Sequence, residues 1–311
     1  MGAVRNAFIA AVLLAAIHSS AIATVSEKPL KLVMPIAAGL SMGSTSQIVK
    51  DIGKALEKRL SRKVESSEFR YTRDMDIAKV LYGKIKNGEL DLALVAPREY
   101  FGLQKMEKDL VTPIVTVTFF GKPTITACVY TRKTDGIKTL SSLKGKKWGG
   151  ASIIPLRYLM HKNGVAEPPS KYFSSMIYVA DENVINALNA LVSKKIDVFV
   201  LGSFQVDMSK NADKRFNEIE ATNCFEYDHS WLIVYKKGTP PDAVEKIKQT
   251  FINAHKDKEF AQFKFIFAAI QGHFVAYDPA RMKTAQEVFN LSTKNKWDQE
   301  ERKFIKANMD K

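Results

Sequence analysis

The chain has 311 residues, 26% of them charged, and its 47 Lys and Arg outnumber 33 Asp and Glu for a formal net charge of +14. That length is too great for one simple core and suits two lobes. The basic residues are scattered and accompany no nucleic-acid motif, so a nucleic-acid role is excluded and a solvated basic surface accounts for most of the lysines.

The first residues read as a secretory leader. Arg5 gives a positive start, the uncharged stretch Ala7 to Ile17 follows, and Ala21-Ile22-Ala23 forms a small-x-small cleavage site. The apolar run is shorter than the ~20 residues that span a bilayer. Residues 1–23 are therefore expected to be a cleaved signal peptide, and the mature chain is expected in the periplasm. No cysteine stands just after the cleavage site, so a bacterial lipoprotein anchor is not expected. No later stretch is long and apolar enough to span a membrane; the greasiest, Phe263 to Ile270, is interrupted by Lys264.

The mature chain alternates. Leu30 to Pro35 reads as a strand, and a Gly/Ser/Thr segment, Ala37 to Ser46, opens a helix over Ser44 to Leu60 with Ile48, Ile52, Ala55 and Leu56 on its apolar face. Lys63 to Phe69 is a short strand. Asp74 to Lys86 is a helix stopped by Gly88. Leu90 to Ala96 is apolar throughout, as suits a strand covered on both faces. Thr112 to Thr131 reads as two strands broken at Gly121-Lys122-Pro123.

A second α/β set follows. It comprises a helical turn at Leu140 to Gly145, a strand at Lys147 to Gly150, a helix from Pro155 to Asn163 closed by Gly164, a strand at Met176 to Ala180, a helix at Asn183 to Ser193 and a buried strand at Ile196 to Leu201. His229 to Tyr235 returns as a strand. Helices are expected over Pro241 to His255, Glu259 to Ile270 and Pro279 to Leu291, and the end from Lys294 reads as a charged surface helix or tail.

The reading is thus α/β, with one lobe interrupted by another: 24–128 plus 232–311 as lobe one and 129–231 as lobe two. Two crossings make a hinge, and the cleft between the lobes is where strand C-termini and helix N-termini converge on a ligand. Cys128 and Cys224 lie near the hinge; in an oxidising compartment they are either one disulfide or two buried thiols, and the sequence leaves both open. Enzyme signatures are absent. There is no HExxH, GxSxG or Walker loop; His161, His229, His255 and His273 are dispersed, and Gly39 to Gly43 lacks the lysine of a phosphate loop. No catalytic residue, metal site or cofactor is expected.

Four strings resemble phosphate/phosphite/phosphonate-type periplasmic solute-binding proteins of ABC transporters: Lys86 to Tyr100, Leu140 to Trp148, Pro155-Leu156-Arg157-Tyr158-Leu159-Met160 with Gly164 and Tyr172-Phe173, and Ala187 to Asp197. Their order and spacing match across most of residues 30–240. The resemblance implies the two-lobe type II periplasmic binding protein fold with two hinge crossings. It also implies capture of a small solute by hinge closure and docking on a membrane permease or a sensor, by a monomer. It puts Tyr100 in a loop that reaches into the cleft. In relatives a Ser-Thr-Ser-Gly loop precedes the Pro-Arg helix; here the stretch is shorter, Gly150 to Pro155, and Ser152 is its hydroxyl. Where relatives place an acid after the Ile196-Asp197 strand, this chain has Gly202 and Ser203.

The site expected from these residues joins two helix N-termini, whose free N–H groups suit a carboxylate, sulfonate or phosphate. Ser41, Ser44 and Thr45 precede or open the first helix, Ser152 the Pro155 helix, and Ser203 follows the last buried strand. Ser44 also reads as a simple N-cap. Asp181 starts a helix and reads as an amine partner or a cap. Arg98 and Arg157 read as anion partners or, more simply, as inter-lobe or surface ion pairs; Trp148 and Trp231 read as cleft-lining or, from their strand patterns, as core. The alternatives to solute delivery are a ligand-sensing or protein-interaction module on the same fold, or an enzyme built on it.

Overall fold

The computed structural model describes residues 28–37, 45–72, 74–122, 124–179, 184–227, 231–260, 267–268 and 271–309; the expected leader lies outside them. The chain opens with β1 (Leu30–Ala37), α1 (Thr45–Leu60), β2 (Val64–Tyr71), α2 (Ile77–Lys86), β3 (Leu92–Val95), α3 (Pro97–Met106) and β4 (Val111–Val117). It continues through β5 (Ile125–Arg132), β6 (Lys147–Gly150), α4 (Ile154–Lys162), the single turn α5 (Pro169–Tyr172), β7 (Ser175–Tyr178), α6 (Val184–Val192), β8 (Val198–Gly202), α7 (Ser203–Ala212) and β9 (Ile219–Tyr227). It closes with β10 (Leu232–Lys236), α8 (Pro241–Ile252), β11 (Phe274–Ala276), α9 (Lys283–Lys294) and α10 (Trp297–Met309).

Two sheets result, ordered β11-β4-β10-β3-β1-β2 and β7-β6-β8-β5-β9. β1 runs parallel to β2 and β3, and β6 parallel to β7 and β8, as strand–helix–strand units require. Central β3 buries Leu92, Ala93 and Val95, because helices cover both faces of its sheet. α1 and α8 enclose one face with Ile52, Leu56, Ile247 and Phe251; α2 and α3 enclose the other with Leu81, Ile85, Phe101 and Leu103. In the second lobe Trp148, Leu156 and Leu159 fill one side and Leu188, Leu191, Phe199 and Phe216 the other.

The hinge follows from strand pairing. β4 lies beside β10 in the first sheet, and β5 beside β9 in the second, both pairs antiparallel. The connections from β4 to β5 and from β9 to β10 therefore link one neighbouring pair to another; the Val117 N–H donates to the Trp231 carbonyl at 3.2 Å. β5, through which the expected lobe boundary at residue 128 passes, is paired along its whole length in the second sheet. Cys128 and Cys224 stand opposite each other on β5 and β9, with Cα atoms 4.1 Å apart, and form a disulfide.

Several elements differ from expectation. α7 and β9 were not foreseen: α7 buries only Val206 and Ser209, and β9 is an edge strand whose charged residues dilute its apolar pattern. β10 starts at Leu232. The expected helix Glu259–Ile270 begins as a turn at Lys258–Phe260 and otherwise lies largely outside the described residues. Trp231 is 45% exposed, not core. The C-terminal end is no surface tail: α10 buries Trp297, Glu301 and Ile305, spaced four residues apart on one face, and packs against α4 and β7 of the second lobe. Gly88 and Gly164 end α2 and α4 as expected, at φ +68° and +72°, a conformation open to glycine.

Candidate functional site at the lobe junction

α3 and α4 both begin where a strand of their sheet ends, one in each lobe. Proline shapes each start: Pro97 in α3 and Pro155 in α4, where the missing N–H costs nothing. The N-cap of α4 is Ile153, whose side chain offers no cap. The backbone N–H groups of Ile153 and Ile154 and the hydroxyl of Ser152 are consequently free to serve an acceptor from elsewhere.

That acceptor is Glu301 of α10. Its Oε2 receives the Ile153 N–H at 3.0 Å, the Ile154 N–H at 3.2 Å and the Ser152 hydroxyl. Its Oε1 receives Nη1 of Arg98, from α3 of the first lobe, at 2.9 Å. Arg98 also meets Asp298 at 2.6 Å. Burial by itself would lower the pKa of Arg98; the carboxylates of Glu301 and Asp298 outweigh it and hold the guanidinium above the ordinary arginine range. Beside it, burial pushes the Glu99 carboxyl up, against the pull of Arg98. One turn along α4, Arg157 grips Glu300 at 2.9 Å, and Tyr158 donates to Glu287 of α9 at 2.8 Å. Two arginines and one helix N-terminus thus form a socket for an acidic helix face.

The expected site residues fall in three groups. Ser152 is in the cradle. Thr45 and Ser203 are the first residues of α1 and α7, Ser203 half-buried behind the N-cap Gly202. Ser41, Ser44 and Asp181 lie outside the described residues. Tyr100 corrects the expectation of a loop: helix α3 starts at Pro97, so Tyr100 sits one turn inside it, half-buried against Phe101 and Tyr277 with ring centroids 5.2 and 6.5 Å away. Burial raises its pKa, and a hydrogen bond with Tyr277 partly opposes this.

Two features escaped the sequence reading. Glu301 carries no local signal, being 149 residues from Ser152. At the hinge, Phe119 lies 5.4 Å from Phe204 and 6.4 Å from Trp231, and Phe120 lies 6.0 Å from Phe204, so an aromatic corner lines the crossings. The sequence pattern places Trp231 in a strand interior. The expectation fails because the exposed residue precedes β10.

Residues 40–281 match the family model described as ABC transporter, phosphonate, periplasmic substrate-binding protein. The chain belongs to this family. It is a periplasmic substrate-binding component of an ABC transporter and not an enzyme. Among solved structures, this binding protein resembles XAC2383 from Xanthomonas citri bound to chloride ion, at 13% identity over 88% of this chain and 99% of that one, with a TM-score of 0.64. PhnD1 from Prochlorococcus marinus in complex with methylphosphonate aligns at 16% identity over 86% and 99%, with a TM-score of 0.59. The aliphatic sulphonate binding protein SsuA from Escherichia coli aligns at 12% over 89% and 92%, with a TM-score of 0.53. At these identities the likeness establishes the fold: a two-lobe type II periplasmic binding protein. A sequence search of curated proteins finds no match.

Proposed function

We propose that this binding protein captures a small anionic solute, phosphonate- or phosphate-like or a sulfonate, between its lobes and presents it to a membrane permease. The observation that carries the reading is the cradle at the start of α4, where three donors converge on a single oxygen and Arg98 reaches over from the opposite lobe. Such a site supplies fixed N–H dipoles from one side and a movable positive charge from the other, which is what closure around an anion needs. The net charge of +14 draws anions in the same direction. Methylphosphonate and chloride in the neighbours named above, and the sulphonate specificity in the name of a third, are consistent with an anionic solute. Thr45, Ser203, Ser41, Ser44, Tyr100 and Asp181 remain its candidate further contacts. The leader is cleaved after Ala23, and the mature protein acts as a monomer.

Titration calorimetry with methylphosphonate, phosphate, methanesulfonate and glutamate tests the reading. One or more of the tetrahedral anions should bind. Heat with none of them overturns it and favours the protein-interaction module, a reading that the cradle's occupation by the protein's own carboxylate supports.

A further inference from the structure

Glu301 is 5% exposed, yet it is not left with an uncompensated charge: three donors meet one of its oxygens and a guanidinium the other. These are the same donors that the proposed function assigns to the solute. Two bodies cannot hold them at once. The remaining acidic residues of the first turn of α10 are held alongside, Asp298 by Arg98 and Glu300 by Arg157. Because Arg98 belongs to the first lobe and Ser152 to the second, one carboxylate also ties the lobes together in the described state.

We propose that α10 is a built-in competitor for the anion site: the Glu301 carboxylate fills the cradle, and a solute anion binds by displacing it, releasing α10 from α3 and α4. The proposal rests on the solute-binding reading given above. Its chemistry also narrows the solute class. Glu301 brings one negative charge to the cradle, so a dianionic head, such as a phosphonate above its second pKa, competes better than a singly charged sulfonate or carboxylate. The anchors that α10 must give up are Trp297, in the cluster with Ile154, Tyr158 and Val288, and Phe304, whose ring is 5.5 Å from Trp148. Solute binding is therefore coupled to the exposure of an apolar helix face.

Calorimetry at pH 8 with methylphosphonate and methanesulfonate, on the full chain and on Glu301→Gln, tests this, together with hydrogen exchange of residues 297–309. The amide keeps the side chain's size and removes its charge. If the filled cradle outweighs the open one by about ten to one, Glu301→Gln binds both anions about tenfold tighter and leaves the ratio of the two affinities unchanged. Saturating methylphosphonate should raise exchange across 297–309 in the unmodified protein, a readout that stands even if the variant fails to fold. Equal affinity in the two proteins, or methylphosphonate binding with unchanged exchange, overturns the competitor and leaves the solute reading intact. No binding by either protein, both folded by circular dichroism, overturns the two together.

Discussion

The first sheet draws its strands from two distant stretches of chain, β1 to β4 and β10 with β11, whereas the second is a single run from β5 to β9 whose first and last strands lie side by side. A run whose ends meet is closed by one cross-link, and Cys128–Cys224 supplies it. The first lobe has no such staple; it depends on α8 and β11 packing back onto α1 and β4 after the chain returns. The contrast teaches that the two lobes should fail separately and for different reasons, one through its cross-link and buried ions, the other through close helix–strand contact.

The largest expected effect falls on the second lobe. The disulfide closes a loop spanning 96 residues, so replacing both cysteines with serine should cost about 4–5 kcal/mol on chain-entropy grounds. Guanidinium unfolding should then split into two transitions, the second lobe melting first; one unshifted transition breaks the comparison. Next is Arg132, which donates to the carbonyls of Leu191 and Ile196 and pairs with Asp135 and Asp197. Arg132→Met leaves those groups without their donor and should destabilise the same lobe by about 3 kcal/mol, read as an earlier first transition.

In the first lobe the sharper test is steric. A Cβ on Gly53 of α1 would stand 2.5 Å from Oγ of Ser66 on β2. Gly53→Ala should thus cost about 1–2 kcal/mol despite the better helix propensity of alanine, and in the cysteine-free protein only the second transition should move. A stabilised variant would show that α1 slides freely on β2.

The smallest effect is that of pH. Burial, helped by His255 and Lys256, holds the pKa of His273 below 6.5. The unfolded chain takes up a proton first as acidity rises, so first-lobe stability is full above pH 6.5 and falls as pH drops from there through the folded pKa. For Asp197, burial would raise the pKa, but the Lys147 N–H and Arg132 outweigh it and hold it below 3.8. Its contribution survives to lower pH and is lost only as the pH falls from about 3.8 through the folded pKa. Melting curves between pH 7.5 and 5 should therefore lower the first lobe's transition and spare the second's, and His273→Gln should flatten the response.

Elements whose evidence is local were legible. The apolar spacing of Ile48, Ile52, Ala55 and Leu56 marked α1, the unbroken β3 marked a covered strand, and Gly88 and Gly164 marked helix ends. α7 and β9 were not, because one buries little and the other borrows its order from β5. Ser152 was picked out as a hydroxyl before a helix; its acceptor was not, since nothing near Glu301 in the chain distinguishes it from the other acids of a charged C-terminal segment.

What the sequence by itself determined is the alternation of strands and helices, the lobe-within-lobe order and the family to which the residues 40–281 belong. Those properties rest on periodicity and on strings a few residues long, which act over one or two turns of chain. The tertiary structure alone decided that two cysteines 96 residues apart are opposite neighbours, that Trp231 faces solvent, and that a carboxylate from the last helix meets the donors of two lobes. Each depends on where separate segments come to rest against one another, and sheet pairing and burial, not local preference, set that position.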